Sequence, residues 1–220
     1  YGDVWHELSA LNYEKHPYKW PTIGIHPSHI EKANLTDVKK FYDKYYGSGR
    51  WKSSTIISLS IGQGELGVTP LQMANIAAAI ANKGHYFTPH LVKAIGDSTL
   101  NYKKTKKKTL VNPEYFDIVH EGMQWVIEES GGTARRAKID SLHYCGKTGT
   151  SQNPHGEDHS IFICFAPREN PKIAMAVFVE NGGKGGAISA PIASLLVEKY
   201  LYKTIKRMAT EEYVLNLKLY

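Results

Sequence analysis

Three runs of strand-forming residues, 143–151, 160–166 and 172–180, follow one another across links of only a few residues, and this spacing restricts the fold more than any other feature of the chain. A parallel crossover needs about a dozen residues or more. The polar turn at 153–159 and the corner from Pro167 to Pro171 are both shorter, so the strands are expected to pair antiparallel in one contiguous sheet. A glycine-rich loop at 182–186 then leads through Ser189-Ala190-Pro191 into a helix carrying Val197, Leu201, Ile205 and Met208 at helical spacing. That pattern predicts a helix over 189–208 covering one face of the sheet.

Upstream, Thr69-Pro70-Leu71-Gln72 combines a capping hydroxyl, a proline at the first helical position and a glutamine placed to reach back. It predicts a helix from Thr69 to about Lys83, stopped by Gly84 and packed closely through its small apolar interior at 74–81. Asn112-Pro113-Glu114 opens a second helix, with Val119, Met123, Val126 and Ile127 as its buried stripe and Gly131-Gly132 as its stop. Between them, residues 91–95 and 109–111 read as two strands flanking a lysine-rich turn. Residues 55–61 read as a further extended segment, followed by a turn around Gln63.

Several functions are disfavoured by composition. The formal charge is +6, and five of the cations sit together as Lys103, Lys104, Lys106, Lys107 and Lys108. Only Tyr102 could offer an aromatic platform there, so the run reads as a solvated loop and no nucleic-acid role is assigned. Cys145 and Cys164 lie in apolar stretches without CxxC spacing and read as buried free thiols. Ten histidines are present without HExxH or HxxEH, so neither a metal nor a cofactor is expected; His26 and His29 read as loop polar groups. No apolar run approaches the roughly 20 residues of a membrane span, and no signal-peptide pattern opens the chain.

Lys147-Thr148-Gly149-Thr150 carries the chemistry. In a strand these residues offer a cation, two hydroxyls and a position without a side chain, where a ligand backbone can lie against the strand edge. The backbone N–H after the glycine is then available to stabilise an oxyanion. Alone the motif is weak, since such a tetrapeptide arises by chance in roughly one or two chains per hundred of this length.

Longer stretches give it context. SLSIGQGELGVTPLQMA at 58–74, DHSIFICFAP at 158–167 and ENGGKGGAISAPIA at 180–193, with KTGT between them, resemble class B penicillin-binding protein transpeptidases of the elongation, penicillin-binding protein 2-like type. The resemblance covers about residues 47–208. It implies an α+β fold of the penicillin-binding and serine β-lactamase kind, an antiparallel sheet flanked by helices, here truncated to the C-terminal part of the domain. It further implies peptidoglycan D,D-transpeptidation, by acyl transfer from a D-Ala-D-Ala stem peptide, and acylation by β-lactams. The expected setting is a periplasmic catalytic domain anchored in the inner membrane beside the membrane proteins of the elongation machinery. By the same resemblance Lys147 assists proton transfer through a middle motif, Thr148 holds the substrate's terminal carboxylate and Thr150 supplies an oxyanion N–H. Gly149 completes the binding strand. Gln63-Gly64 and the loop Gly131-Gly132-Thr133-Ala134 also match family segments, and turning and helix-stopping suffice to explain them.

The departures are as informative. No serine in the chain is followed three positions later by lysine, so the family's Ser-x-x-Lys nucleophile is missing. Ser151-Gln152-Asn153 fits the second motif as letters but abuts KTGT, whereas that motif belongs well upstream. Residues 1–46, through HPYKWPTIG at 16–24 and LTDVKKFY at 35–42, resemble a segment of insulinase-type zinc peptidases without the zinc-binding motif. A chimeric chain is therefore expected, with residues 1–46 peripheral and 47–220 belonging to the transpeptidase, inactive by itself. The alternatives are a non-catalytic binding remnant, a serine β-lactamase, or an insulinase-type peptidase.

Overall fold

The structure, a computed structural model, describes residues 61–63, 67–92, 94–95, 98–99 and 105–218. Two compact units divide the chain, Tyr1–Glu65 and Leu66–Tyr220. The insulinase-like segment, the extended segment expected at 55–61 up to its last residue, and the boundary at 46 lie outside the described residues; Ile61 itself stands in a turn.

In the second unit, helix α1 (Pro70–Ala81) starts as its residues dictate. The Thr69 side chain accepts from the Gln72 amide, Gln72 Oε1 accepts from the Thr69 amide at 2.8 Å, and Pro70 costs no hydrogen bond in the first turn. The helix closes through Lys83 and Gly84, both at positive φ. It is less enclosed than its composition suggests: Ala77 and Ala81 are buried, whereas Leu71 and Ile76 are exposed. Small side chains made the helix look apolar all round, but only one face meets the sheet.

Four two-residue strands follow. β1 (His85–Tyr86) pairs antiparallel with β4 (Lys107–Lys108), and β2 (Ala94–Ile95) pairs with β3 (Ser98–Thr99). This corrects the expected pairing of 91–95 with 109–111. Lys107 and Lys108 form a strand themselves, and Thr109 instead donates its amide to the Gly84 carbonyl at 2.7 Å. Backbone pairing by the lysines leaves their side chains in solvent, which a reading of charge as loop overlooks.

Helix α2 (Tyr115–Glu128) buries Phe116, His120, Met123 and Ile127. Met123 and Ile127 were expected; Val126 is half-buried, and Val119 is exposed while His120 takes its place. The imidazole is accommodated because its Nε2 lies 2.8 Å from the Ile80 carbonyl and its ring packs on Phe165 at 4.9 Å.

The central sheet comprises β5 (Cys145–Ser151), β6 (His159–Ala166) and β7 (Ile173–Val179), in that order and antiparallel throughout, as their spacing requires. Register sets two faces. The row Cys145, Phe165 and Ala174 meets Ala81 and Met123 of α1 and α2, while Phe162, Cys164 and Ala166 meet Ala190, Ala193 and Val197 of helix α3 (Ser189–Tyr202). Alanines at 190 and 193 let the α3 backbone lie close to the phenylalanines.

The last helix is shorter than expected. It stops at Tyr202 because Lys203 adopts the left-handed conformation, and a separate helix α4 spans Met208–Leu215. Ile205 and Met208 therefore leave the predicted stripe, and Met208 is exposed. Val197 and Leu201 remain in or against the core.

Both cysteines are free and buried. Burial pushes the Cys145 thiol up to about 12, and it raises Cys164 and the Tyr144 phenol, whose hydroxyl donates to the Ala137 carbonyl at 2.6 Å. The folded chain thus keeps protons that the unfolded chain releases above the ordinary thiol value of 9.0. Stability from the two thiols is complete below that pH and is lost as pH rises above it, by about 1.4 kcal/mol per pH unit for a thiol whose folded value is still above the pH, and the phenol acts in the same sense only above its own ordinary value of 10.0. Urea midpoints at about pH 8 and 10 should show the decline, and Cys145→Ala should reduce its slope; equal midpoints would contradict it.

Candidate functional site

Among the described residues β5 is an edge strand of the three-stranded sheet, so Lys147-Thr148-Gly149-Thr150 lies along a border of it. Side chains alternate across a strand, and the register assigns the faces. Thr148 is paired with Phe162 and Thr150 with Ser160, which places both hydroxyls on the α3 face. Lys147 is paired with Ile163 and Gly149 with Ile161, on the α1 and α2 face. The four predicted residues are therefore divided. Lys147 is exposed and its ammonium donates to the Thr148 carbonyl at 2.8 Å.

An open groove of about 610 Å³ runs past the two threonines. One wall is the turn after α2, with Thr133, Arg135 and Arg136; the other is the loop 184–187. Thr133 Oγ1 and Thr148 Oγ1 share a hydrogen bond of 2.8 Å. Asp158 stands at the β5–β6 end, where its Oδ1 accepts the Asn153 amide at 3.2 Å. The hairpin is clasped to the glycine loop, because Asn153 Nδ2 donates to Asn181 Oδ1 at 2.9 Å and the Gly183 amide donates to the Asp158 carbonyl at 2.6 Å.

Two glycines make the groove possible. A Cβ on Gly185 would stand 2.3 Å from the Ile161 carbonyl oxygen and 2.4 Å from that of Gly149. A Cβ on Gly186 would stand 2.0 Å from the Thr133 carbonyl oxygen. Only bare backbone fits between these backbones.

Electrostatically the groove is cationic, with Arg135, Arg136 and Lys184 against Asp158. Hydroxyl donors beside fixed positive charge are suited to a carboxylate. Among the described residues no group of three or more His, Cys, Asp or Glu is placed to hold a metal ion, and no helix is long and apolar enough to cross a membrane.

Thr133, Arg135, Arg136, Asp158 and the loop 184–187 had no functional role in the sequence reading. The segments 131–134 and 180–193 resemble the family, and two adjacent arginines directly after the first are the signal the sequence offers.

Comparisons with known proteins bear on this arrangement. The penicillin binding protein transpeptidase domain model matches residues 37–198. The match begins at residue 37, ten residues before the start expected for the transpeptidase part and inside the segment expected to be foreign, and ends within α3. The peptidoglycan D,D-transpeptidase MrdA of Haemophilus influenzae is 32% identical over 181 residues, covering 72% of this chain and 27% of the relative. A crystal structure of Pseudomonas aeruginosa PBP2 in complex with WCK 5153 superposes with a TM-score of 0.66 at 34% identity, over 77% of this chain and 38% of that one. The imipenem acyl-enzyme of penicillin-binding protein A from M. tuberculosis gives 0.56 at 32% identity, over 66% and 33%. The chain thus spans well under half of the proteins it matches. With the sheet, the helical layers and the edge-strand motif all in agreement over most of its length, the chain belongs to the penicillin binding protein transpeptidase domain family.

Proposed function

We propose that this chain contributes the substrate-binding edge of a peptidoglycan D,D-transpeptidase. The supporting observation is the Thr148 and Thr150 pair, presented by an edge strand to a cationic groove. In this reading the hydroxyls of Thr148 and Thr150 receive the C-terminal carboxylate of a D-Ala-D-Ala stem peptide. The Thr150 N–H faces the oxyanion that develops when an acyl group is transferred. Gly149 lets the peptide backbone approach the strand. Lys147, on the other face, supplies its ammonium to the proton-transfer side of the reaction once the nucleophile and middle motif stand beside it. β-Lactams carry an equivalent carboxylate and occupy the same edge. The intact enzyme would act at the periplasmic face of the inner membrane with the elongation machinery.

A second reading is that these 220 residues by themselves bind peptide without turnover, since they contain no Ser-x-x-Lys. Both readings require peptide binding at Thr148, and that can be measured directly. A peptide ending in D-Ala-D-Ala should perturb the Thr148 and Thr150 amide resonances, while its C-terminal amide should bind about tenfold more weakly through loss of a charged hydrogen bond. Thr148→Val should abolish this difference. Indifference of both resonances at millimolar peptide would sink the assignment.

A further inference from the structure

We propose that Arg135 and Arg136 form a second anion subsite, which receives a side-chain carboxylate on the same peptide whose C-terminal carboxylate is held at Thr148. The inference rests on the peptide-binding reading above and names a further feature of its substrate: an acidic side chain upstream of the terminal dipeptide.

Three observations carry it. The first is uncompensated charge. Arg135, Arg136 and Lys184 line one groove, and no ion pair among the described residues involves any of them. Asp158 is the acidic residue in the lining, and its Oδ1 is already engaged by the Asn153 amide. The groove therefore offers three cations to one carboxylate, in a concavity that concentrates their field.

The second is preorganisation. The Arg136 guanidinium carbon lies 4.9 Å from the centre of the Tyr213 ring. Tyr213 is in turn fixed by its hydroxyl, which donates to the Ala187 carbonyl at 3.0 Å, on the opposite wall of the groove. Stacking occupies a face of the guanidinium and leaves its in-plane N–H fork for a ligand. A planar fork matches a carboxylate in two parallel hydrogen bonds, which a lysine cannot imitate.

The third is placement. Thr133 is bonded to Thr148 and stands two residues before Arg135, so the turn that carries the arginines is tied to the threonine that holds the first carboxylate. One extended peptide can reach both. Tyr213 lies beyond residue 198, where the family match ends, so the residue that positions Arg136 comes from a part of this chain outside that match.

The test uses the full chain and two synthetic peptides ending in D-Ala-D-Ala, identical except for glutamate or glutamine immediately before the terminal dipeptide. Affinities are read from the Thr148 amide resonance. The glutamate peptide should bind about tenfold more tightly, as a charge-assisted pair allows. Raising salt from about 20 to 300 mM should narrow that preference in the unaltered protein. The doubly substituted Arg135→Gln, Arg136→Gln chain should bind the two peptides equally; Tyr213→Leu should reduce the preference, and Tyr213→Phe, which keeps the ring but loses the hydroxyl that fixes it, should reduce it less. Equal affinities for the two peptides, or a preference that survives the double substitution, would overturn the subsite and leave peptide binding at Thr148 standing. Failure of both peptides to move the Thr148 resonance would remove the underlying reading and the subsite with it.

Discussion

Treated with a fluorescent penicillin, the 220-residue polypeptide is expected to gain no covalent adduct, even with its Lys147–Thr150 strand correctly built. Acylation needs a nucleophile with a base within hydrogen-bond reach, and no serine here is followed by lysine at the required spacing. Thr148 and Thr150 provide positioning, and Lys147 provides charge. Placing the upstream half of an intact relative before residue 47 should restore acylation. Lys147→Ala in that restored protein should then slow it by about 100-fold or more, the scale of losing a positioned proton-transfer group. Intact-mass spectrometry reads every arm. An adduct on the unaltered chain would reveal another nucleophile, and undiminished acylation of the restored Lys147→Ala protein would exclude Lys147 from the chemistry.

The second large effect is on stability. Glu198 is 3% exposed, within α3, and its carboxylate receives the Arg207 Nε at 3.1 Å and the Lys206 amide at 3.0 Å. Arg207 also donates to Ser194 Oγ at 2.9 Å and to the Lys138 carbonyl at 3.1 Å. Arg207→Ala should strand the buried carboxylate and cost about 3 kcal/mol, the lower end of the range for a broken buried pair, because the arginine itself is partly open to water. Adding Glu198→Gln should recover part of the loss by removing the stranded charge. Urea denaturation measures both. A loss below about 1 kcal/mol would mean that the segment leading into α4 is held by other contacts.

How far the residues foretold this structure differs from one element to the next. Short links determined the antiparallel sheet, and Thr69 with Gln72 determined where α1 begins, because both are local constraints. The partner of β1 could not be read, since backbone pairing leaves no periodicity in a lysine run. His120 was passed over because its burial depends on a carbonyl 40 residues away. The end of α3 escaped because a lysine, not a glycine, takes the left-handed position. The site divides in the same way. Thr148 and Thr150 were visible in the motif, and period-two alternation already separated them from Lys147. Arg135, Arg136 and the loop 184–187 meet only through tertiary packing, so no spacing announced them.

Gly185 and Gly186 press bare backbone against the backbones of residues 133, 149 and 161. The floor of the groove is thus laid by main chain, and its contour is independent of side-chain identity. Its rim, by contrast, is made of the exposed side chains of Arg135, Arg136 and Lys184, with Arg136 lying over the Tyr213 ring. Descent with change can therefore alter what the groove recognises, one rim residue at a time, while the two glycines stay invariant, so that in a saturation library tolerance should switch abruptly between Lys184 and Gly185.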